Sequence, residues 1–500
     1  SFQMSTSKLS TSSHLSLDAG SIAKVLPHGE HFHKAKGLGW FVTGLFVVGE
    51  LAGGGIVALP TALIQTDLYL GVGLLVVILC IVTYTAYLLG RTWTMLTDCW
   101  PEYRQHTRKP YAEIGYRACG RYMTTFVSIV CNVTQFMTAV VFILLASKNI
   151  QDLITAFFGF HFSFCIVVVI LGICLLPLTF LKSPSDFWWA VVIAMITTSA
   201  AVVLIIIGAS IDYGTCAPYR ELPPLKVTNV FLALGTFIFS VGGHTTFPTI
   251  QHDMRTPADF TKSAFLAFGI VTAMYLPTGI VGNLAYGDSL RDSVINSIQT
   301  IAIQQAINIL ITVHLILTLT IVFNPLNQEM EEMFHIPQTF CWQRVALRTG
   351  VMVIVVFVAE SVPSFGPLLD LVGGSTMTLT SIIFPCIFFC FVHARKQKMI
   401  ECGEDHGVAS FADVVKYNKT CILAMSALTI VFGLIGGGAA TFSAIEEIAS
   451  TKFEYPCYVS PFLNLNETTD LSSTNCCGPM QDIQVYENLT CSDPDIHFYL

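Results

Sequence analysis

Between Leu38 and the neighbourhood of Ile445 the chain repeats runs of about 20 apolar residues, each long enough for an α-helix to cross a bilayer. The runs are continuously apolar rather than alternating, so they describe helices and not the strands of a β-barrel. Charged residues make up 12% of the 500, against about 25% in a soluble domain. That excludes a water-soluble fold for most of the chain and predicts an all-α polytopic membrane protein. Eleven runs can be drawn, at roughly 38–63, 68–90, 122–147, 164–181, 187–208, 229–251, 263–286, 298–323, 349–365, 368–393 and 420–446. They divide the chain into a Ser/Thr-rich, disordered cytosolic tail over 1–36, a membrane domain over 37–447 and a polar tail over 448–500. No cleavable signal-peptide pattern is legible before Leu38.

Two of the runs carry the same interruption. Gly54-Gly55 precedes Pro60-Thr61 in the first, and Gly242-Gly243 precedes Pro248-Thr249 in the sixth, at identical spacing. In lipid a helix can break only where protein or a wet cavity covers the backbone. One glycine pair is explained by close helix packing. Two pairs at one proline spacing point to a ligand site between two broken helices. A break frees N–H groups of partial positive charge and C=O groups of partial negative charge. The amides of Gly53, Gly54 and Gly55 suit a carboxylate, because no side chain bars its approach. Carbonyls around Ser240, Gly242 and Gly243 suit an ammonium. His244 follows directly, lining the same cavity or packing beside it. An α-amino acid carries both of the charges that such a pair of breaks would hold.

Eleven spans place the termini on opposite sides. With the amino terminus in the cytosol, the inner segments hold 20 Lys/Arg and the outer ones 5, a bias that orients the chain. The outer tail then carries sequons at Asn466 and Asn488, and Cys457, Cys476, Cys477 and Cys491, a cluster suited to disulfides in an oxidising compartment. Cys216, before the sixth run, can pair with one of them. Cys80, Cys131, Cys165, Cys386 and Cys390 fall within runs and read as small apolar filler. No metal-ligand spacing and no cofactor motif is present. In this orientation the two broken runs point in opposite directions, which suggests two inverted repeats of five spans with the eleventh added. The membrane expected is the plasma membrane or a lysosome-like vesicle.

The stretch Gly53–Ala62 (GGGIVALPTA) resembles the first-span signature of the amino acid/auxin permease family, within the amino acid-polyamine-organocation superfamily. Tyr111–Gly115 with Ala118-Cys119-Gly120, then Phe239–Phe260, Val281–Asp288 and Pro363–Gly374 are similar to further motifs of that family, in the same order. The resemblance implies 11 transmembrane helices with a 5+5 inverted-repeat core of the leucine-transporter type, in which helices 1 and 6 are broken. It implies secondary transport of amino acids, coupled to H⁺ or Na⁺ or facilitative, with substrate at Gly53, Gly54 and Gly55 and at Gly242 and Gly243. Gly49-Glu50 departs from the family, where many members carry Asn and a small residue. The departure counts against a sodium site of the usual construction.

Ionisable groups inside the runs are few, and in a membrane core such groups mark function. Glu50 precedes the first break and reads either as a proton carrier or as a protonated, hydrogen-bonded structural group. His314 in the eighth run reads as a proton site or as a satisfied neutral imidazole. Thr318 and Thr320 offer hydroxyls to a Na⁺ or bond their own helix. Glu360 and Asp370, near outer run ends, read as solvated at the interface. The expected function is a secondary carrier of amino acids or related small zwitterions by alternating access, H⁺-coupled. The alternatives are a Na⁺-coupled or facilitative carrier, or an amino-acid sensor with little flux. A membrane enzyme would pair ionisable groups at one depth and a channel would repeat a filter motif; neither pattern is present. The partners expected are an amino acid and lipid, without nucleic acid, for a monomer.

Overall fold

The computed structural model describes residues 31–105, 107–159, 162–180, 188–337, 339, 341–362, 365–450, 456–459, 476–483, 491 and 498–499. The first 30 residues, residues 181–187 and both sequon asparagines, Asn466 and Asn488, lie outside the described residues.

The fold of the described residues is helical, with isolated bridges in place of strands. The helices are α1 (Trp40–Leu51), α2 (Gly55–Gln65), α3 (Leu68–Cys99), α4 (Pro110–Cys119), α5 (Arg121–Phe158), α6 (Phe164–Leu175), α7 (Trp188–Cys216) and α8 (Val227–Val241). Then follow α9 (Phe247–His252), α10 (Phe260–Tyr286), α11 (Ile301–Met333), α12 (Trp342–Ser361), α13 (Phe365–Val372), α14 (Phe384–Cys402), α15 (Phe411–Tyr417) and α16 (Thr420–Ser450). Among the described residues seven helices are long and apolar enough to cross a membrane, eight when α1 and α2 are taken as one span bent by 59°.

Most helices outrun the apolar segments that predict them. The apolar run of α5 stops near 147, yet the helix continues to Phe158. The 33 residues of α11 measure about 50 Å at 1.5 Å per residue, longer than the ~30 Å hydrocarbon core. Hydropathy registers only the apolar part, and polar residues continue the helix beyond it. Arg344 and Arg348, expected in a connecting stretch, therefore lie within α12. Both are buried and meet Glu331 at the end of α11, at 2.8 and 2.6 Å. Arg348 also donates to the carbonyl of Thr179, in the tight turn after α6.

α11 packs between α5 and α7, α1 against α7 and α10, and α2 against α8 and α10. Behind them α16 covers α8 and α13. Between α13 and α14 the helix widens into π-type turns at Gly373–Met377 and Leu379–Ile383. There Gly373 lies so close to α8 that a Cβ would stand 2.0 Å from the Gly235 carbonyl oxygen.

Disulfides join Cys165 to Cys457, Cys216 to Cys477 and Cys476 to Cys491. The first corrects the reading of Cys165 as apolar filler. Cys165 sits in the first turn of α6, at a helix end that the carboxyl-terminal tail reaches. Periodicity places a cysteine in a run but does not show which end of the run a distant segment covers.

Candidate functional site

The first break begins where α1 runs out of partners. Ala52 N–H still reaches Val48 O at 2.8 Å, but Gly53 N–H turns back to Leu51 O at 2.8 Å, and helix resumes at Gly55. In the second break Gly242 N–H reaches Phe239 O at 3.4 Å and Thr246 N–H reaches Gly243 O at 3.2 Å before α9 starts. Pro248 falls in the first turn of α9, where a helix needs no N–H from it.

The two breaks face each other at contact distance. A Cβ on Gly55 would lie 2.4 Å from Ser240 Oγ and 2.5 Å from Ser240 Cα. One on Gly243 would lie 2.9 Å from Leu51 Cδ2 and 3.4 Å from Glu50 Cγ. Gly53 and Gly54 face α5, with their Cβ positions 2.9 Å from Phe142 Cζ and 3.0 Å from Leu145 Cδ2. A Cβ on Gly242 would lie 2.7 Å from Ile238 O and 2.8 Å from Met377 Sδ. The glycines thus serve close packing as well as any ligand.

Tyr275 of α10 links the breaks. Its hydroxyl lies 2.7 Å from the Leu51 carbonyl and 2.9 Å from the Ser240 carbonyl, one near the end of each broken helix. The Ser240 carbonyl, expected to face an ammonium, is occupied by this contact, and the Ser240 hydroxyl donates to Thr236 O at 2.7 Å. Sequence reasoning missed Tyr275. Its signal was a lone phenol in the middle of an apolar run.

His314 projects from α11 toward the first break: a Cβ on Gly53 would stand 3.6 Å from His314 Nε2. Nδ1 lies 2.6 Å from Thr198 Oγ1 and 3.0 Å from Ala194 O, both on α7. A carbonyl only accepts, so Nδ1 carries the proton. Nε2 of the neutral ring then accepts from Thr318 Oγ1 at 3.2 Å. Thr320 bonds its own helix, to Leu317 O at 2.6 Å. The sequence offered no signal for Thr198.

His244 is fully buried and turns toward α3, with Nε2 3.2 Å from Val82 O and 3.1 Å from Thr85 Oγ1. The Val82 carbonyl makes Nε2 the donor, and Nδ1 is buried without a partner among the described residues. Glu50 is half-buried at the end of α1. Thr246 in the second break faces its carboxylate, and Oε2 is buried with no hydrogen bond among the described residues.

The interfacial reading of Glu360 and Asp370 is corrected. Both are buried, 9% and 7% exposed. Asp370 accepts from the Thr236 hydroxyl of α8, and Cys457 N–H donates to Glu360 O at 2.9 Å. The tail and α16 cover the ends of these helices, which hydropathy alone does not reveal. Cys165, Glu360 and Cys457 have metal-ligand spacing, but both cysteines are spent in a disulfide.

Solved transporters share this fold. MHP1, a nucleobase-cation-symport-1 family transporter solved in a closed conformation with bromovinylhydantoin bound, superposes with a TM-score of 0.53 at 13% identity, over 86% of this chain and 97% of that one. A manganese transporter from Eremococcus coleocola superposes with a TM-score of 0.51 at 12% identity, over 85% and 90%. In sequence the chain is similar to two Arabidopsis thaliana proteins. Amino acid transporter AVT1H is 26% identical over 69% of this chain and 79% of its own length. Amino acid transporter AVT1J is 22% identical over 70% and 82%. The family model described as transmembrane amino acid transporter protein matches residues 36–435, most of the chain. With broken helices packed face to face inside a transporter fold, this chain belongs to the transmembrane amino acid transporter family.

Proposed function

We propose that this protein carries amino acids across its membrane by alternating access, driven by H⁺, with the substrate held where the two broken helices meet. The observation that carries the reading is the contact of Gly55 with Ser240, bridged by Tyr275. A helix break costs backbone hydrogen bonds, and in a membrane it persists only where protein or a wet cavity covers it. The amides of Gly53–Gly55 would take the carboxylate, and carbonyls of Gly242 and Gly243 the ammonium. Eleven spans, arranged as two inverted repeats of five plus α16, accommodate the shorter apolar helices Phe164–Phe180 and Val227–Val241 beside the longer ones. The amino terminus lies in the cytosol and the disulfide-bonded tail outside, in keeping with the Lys/Arg bias.

Two observations favour H⁺ over Na⁺. Glu50 presents an unpartnered buried oxygen beside both breaks, and a membrane-depth carboxyl is a natural proton carrier. Thr318, the candidate sodium ligand, is engaged by His314. Uptake of a labelled amino-acid panel into proteoliposomes tests the reading, at external pH 5.5 and 7.5, with Na⁺ or choline, beside Gly54→Leu. The expected result is uptake raised by acid, indifferent to Na⁺ and lost in the variant. Sodium-dependent uptake would overturn the H⁺ assignment, and binding without flux would make the protein a sensor.

A further inference from the structure

A small polar pocket lies under the second break. Asn132 and Gln135 of α5, Thr245 and Thr249 around the start of α9, and Glu329 of α11 line it, with Lys109 at its edge. Thr245 adjoins Thr246, the residue that faces Glu50. The cavity measures about 30 Å³, room for about two waters at 10–15 Å³ each. That is too little for an amino acid and enough for a hydrogen-bonded water file. Two of its lining side chains hold buried polar atoms that lack a hydrogen bond among the described residues. Gln135 is 4% exposed, and its Nε2 has no partner among the described residues. Glu329 Oε1 accepts from Ser128 at 3.1 Å and Asn132 faces the carboxylate, while Oε2 is buried with no hydrogen bond of good geometry among the described residues. Buried polar atoms of this kind are usually satisfied by water.

We propose that Glu329 is the inner proton-relay residue of the transport cycle, exchanging protons with the second break through water in this pocket. The assignment rests on the H⁺-coupled reading above. In one direction a pocket water hands a proton to Oε2, converting the carboxylate to a carboxylic acid, and takes one from its neighbour nearer the break. The acid then loses that proton to water at the cytosolic rim, restoring the carboxylate. Charge and protons balance, and no group besides water is needed. The groups that face the carboxylate are Ser128, Asn132 and Cys131 on α5, Lys109 before α4 and Glu332 on its own helix, and Arg108 and Tyr111 line the same pocket. Lys109 is paired with Glu332 at 3.1 Å on a partly exposed rim, so the relay opens next to a cation that favours the charged carboxylate.

The test uses the full-length protein in proteoliposomes. Glu329→Gln should lose accumulation driven by a pH gradient, by roughly tenfold or more, while counterflow at equal pH, which needs no net proton movement, is retained. Lys109→Gln removes the neighbouring cation, so the pH profile of uptake should move to higher pH. Wild-type accumulation that responds to the gradient, together with an equally responsive Glu329→Gln, overturns the relay and leaves H⁺ coupling intact. A wild type indifferent to the gradient overturns both. Should Glu329→Gln fail to fold, Lys109→Gln decides: an unmoved profile overturns the relay, and a profile shifted to higher pH supports it.

Discussion

Tyr275 spends one hydroxyl on two carbonyls that a continuous helix would have satisfied. Tyr275→Phe leaves both buried without that donor, at about 1–3 kcal/mol. We expect a lower melting temperature in detergent and reduced uptake. Gly55→Ala acts on the same junction by volume. Its methyl would stand 2.5 Å from the Ser240 backbone, where no rotamer change relieves the clash. Transport should be abolished, and Gly39→Ala, with open space around its Cβ, should transport normally in the same assay. Thr198→Val removes a contact of His314 without touching either break. If the histidine only braces α7 against α11, the variant should lower stability and leave the pH profile of uptake unchanged; a moved profile would make His314 part of the coupling route.

At the scale of elements, the first turn of α6 and the last residue of α7 are tied by disulfides to the carboxyl-terminal tail. Gln481 Nε2 donates to Ser289 O at 2.8 Å, and the Tyr499 hydroxyl to Leu290 O at 2.9 Å. The Cys216–Cys477 bond closes a loop of 261 residues, and such a constraint stabilises by about 2–4 kcal/mol, chiefly through the unfolded chain. Cys216→Ser should therefore lower the melting temperature and expose the tail to protease, and non-reducing peptide mapping should recover Cys165 with Cys457. α15 is started by a capping box in which Ser410 and Asp413 satisfy each other's backbone. A hydrogen bond from Lys398, with those of Ser410, holds the Asp413 carboxyl down to about 2. A depressed carboxylate contributes stability above its unfolded value of about 3.9 and loses it as pH falls through the folded value. Hydrogen exchange in residues 411–417 should then be protected equally at pH 5 and pH 8, and Asp413→Asn should speed it at both.

For the whole molecule the sidedness is the decisive question. If the tail faces away from the cytosol, Asn466 and Asn488 are glycosylated. Asn466→Gln and Asn488→Gln should each raise gel mobility by one glycan step, and glycosidase should remove both shifts. Unmodified asparagines in a protein that reaches the cell surface would argue for the reverse orientation. The buried Glu331–Arg344–Arg348 cluster holds α11, α12 and the turn after α6 together. Glu331→Gln leaves two buried guanidiniums facing a neutral amide, and loss of a partner from a buried ion pair costs about 3–5 kcal/mol. Expression and melting temperature of this variant should fall sharply.

Lipid reduces the backbone's choices, so the local chemistry of the chain by itself determined much. Long apolar runs had to be helices, and repeated Gly-Gly before Pro-Thr pointed to where two of them break. Both breaks stand where the spacing put them, at residues 52–54 and 242–246. What lay beyond reach was every relation set by contact between distant segments. Glycines at a break look the same whether they admit a ligand or a neighbouring helix, and here Gly55 meets Ser240. Cys165 is an apolar residue until Cys457, 292 positions later, reaches it. Asp370 reads as solvated until α8 supplies Thr236 and α16 closes over α13. Helix formation is a local response to solvent. The partner of a carbonyl, a thiol or a carboxylate is chosen by packing, which only the tertiary structure decides.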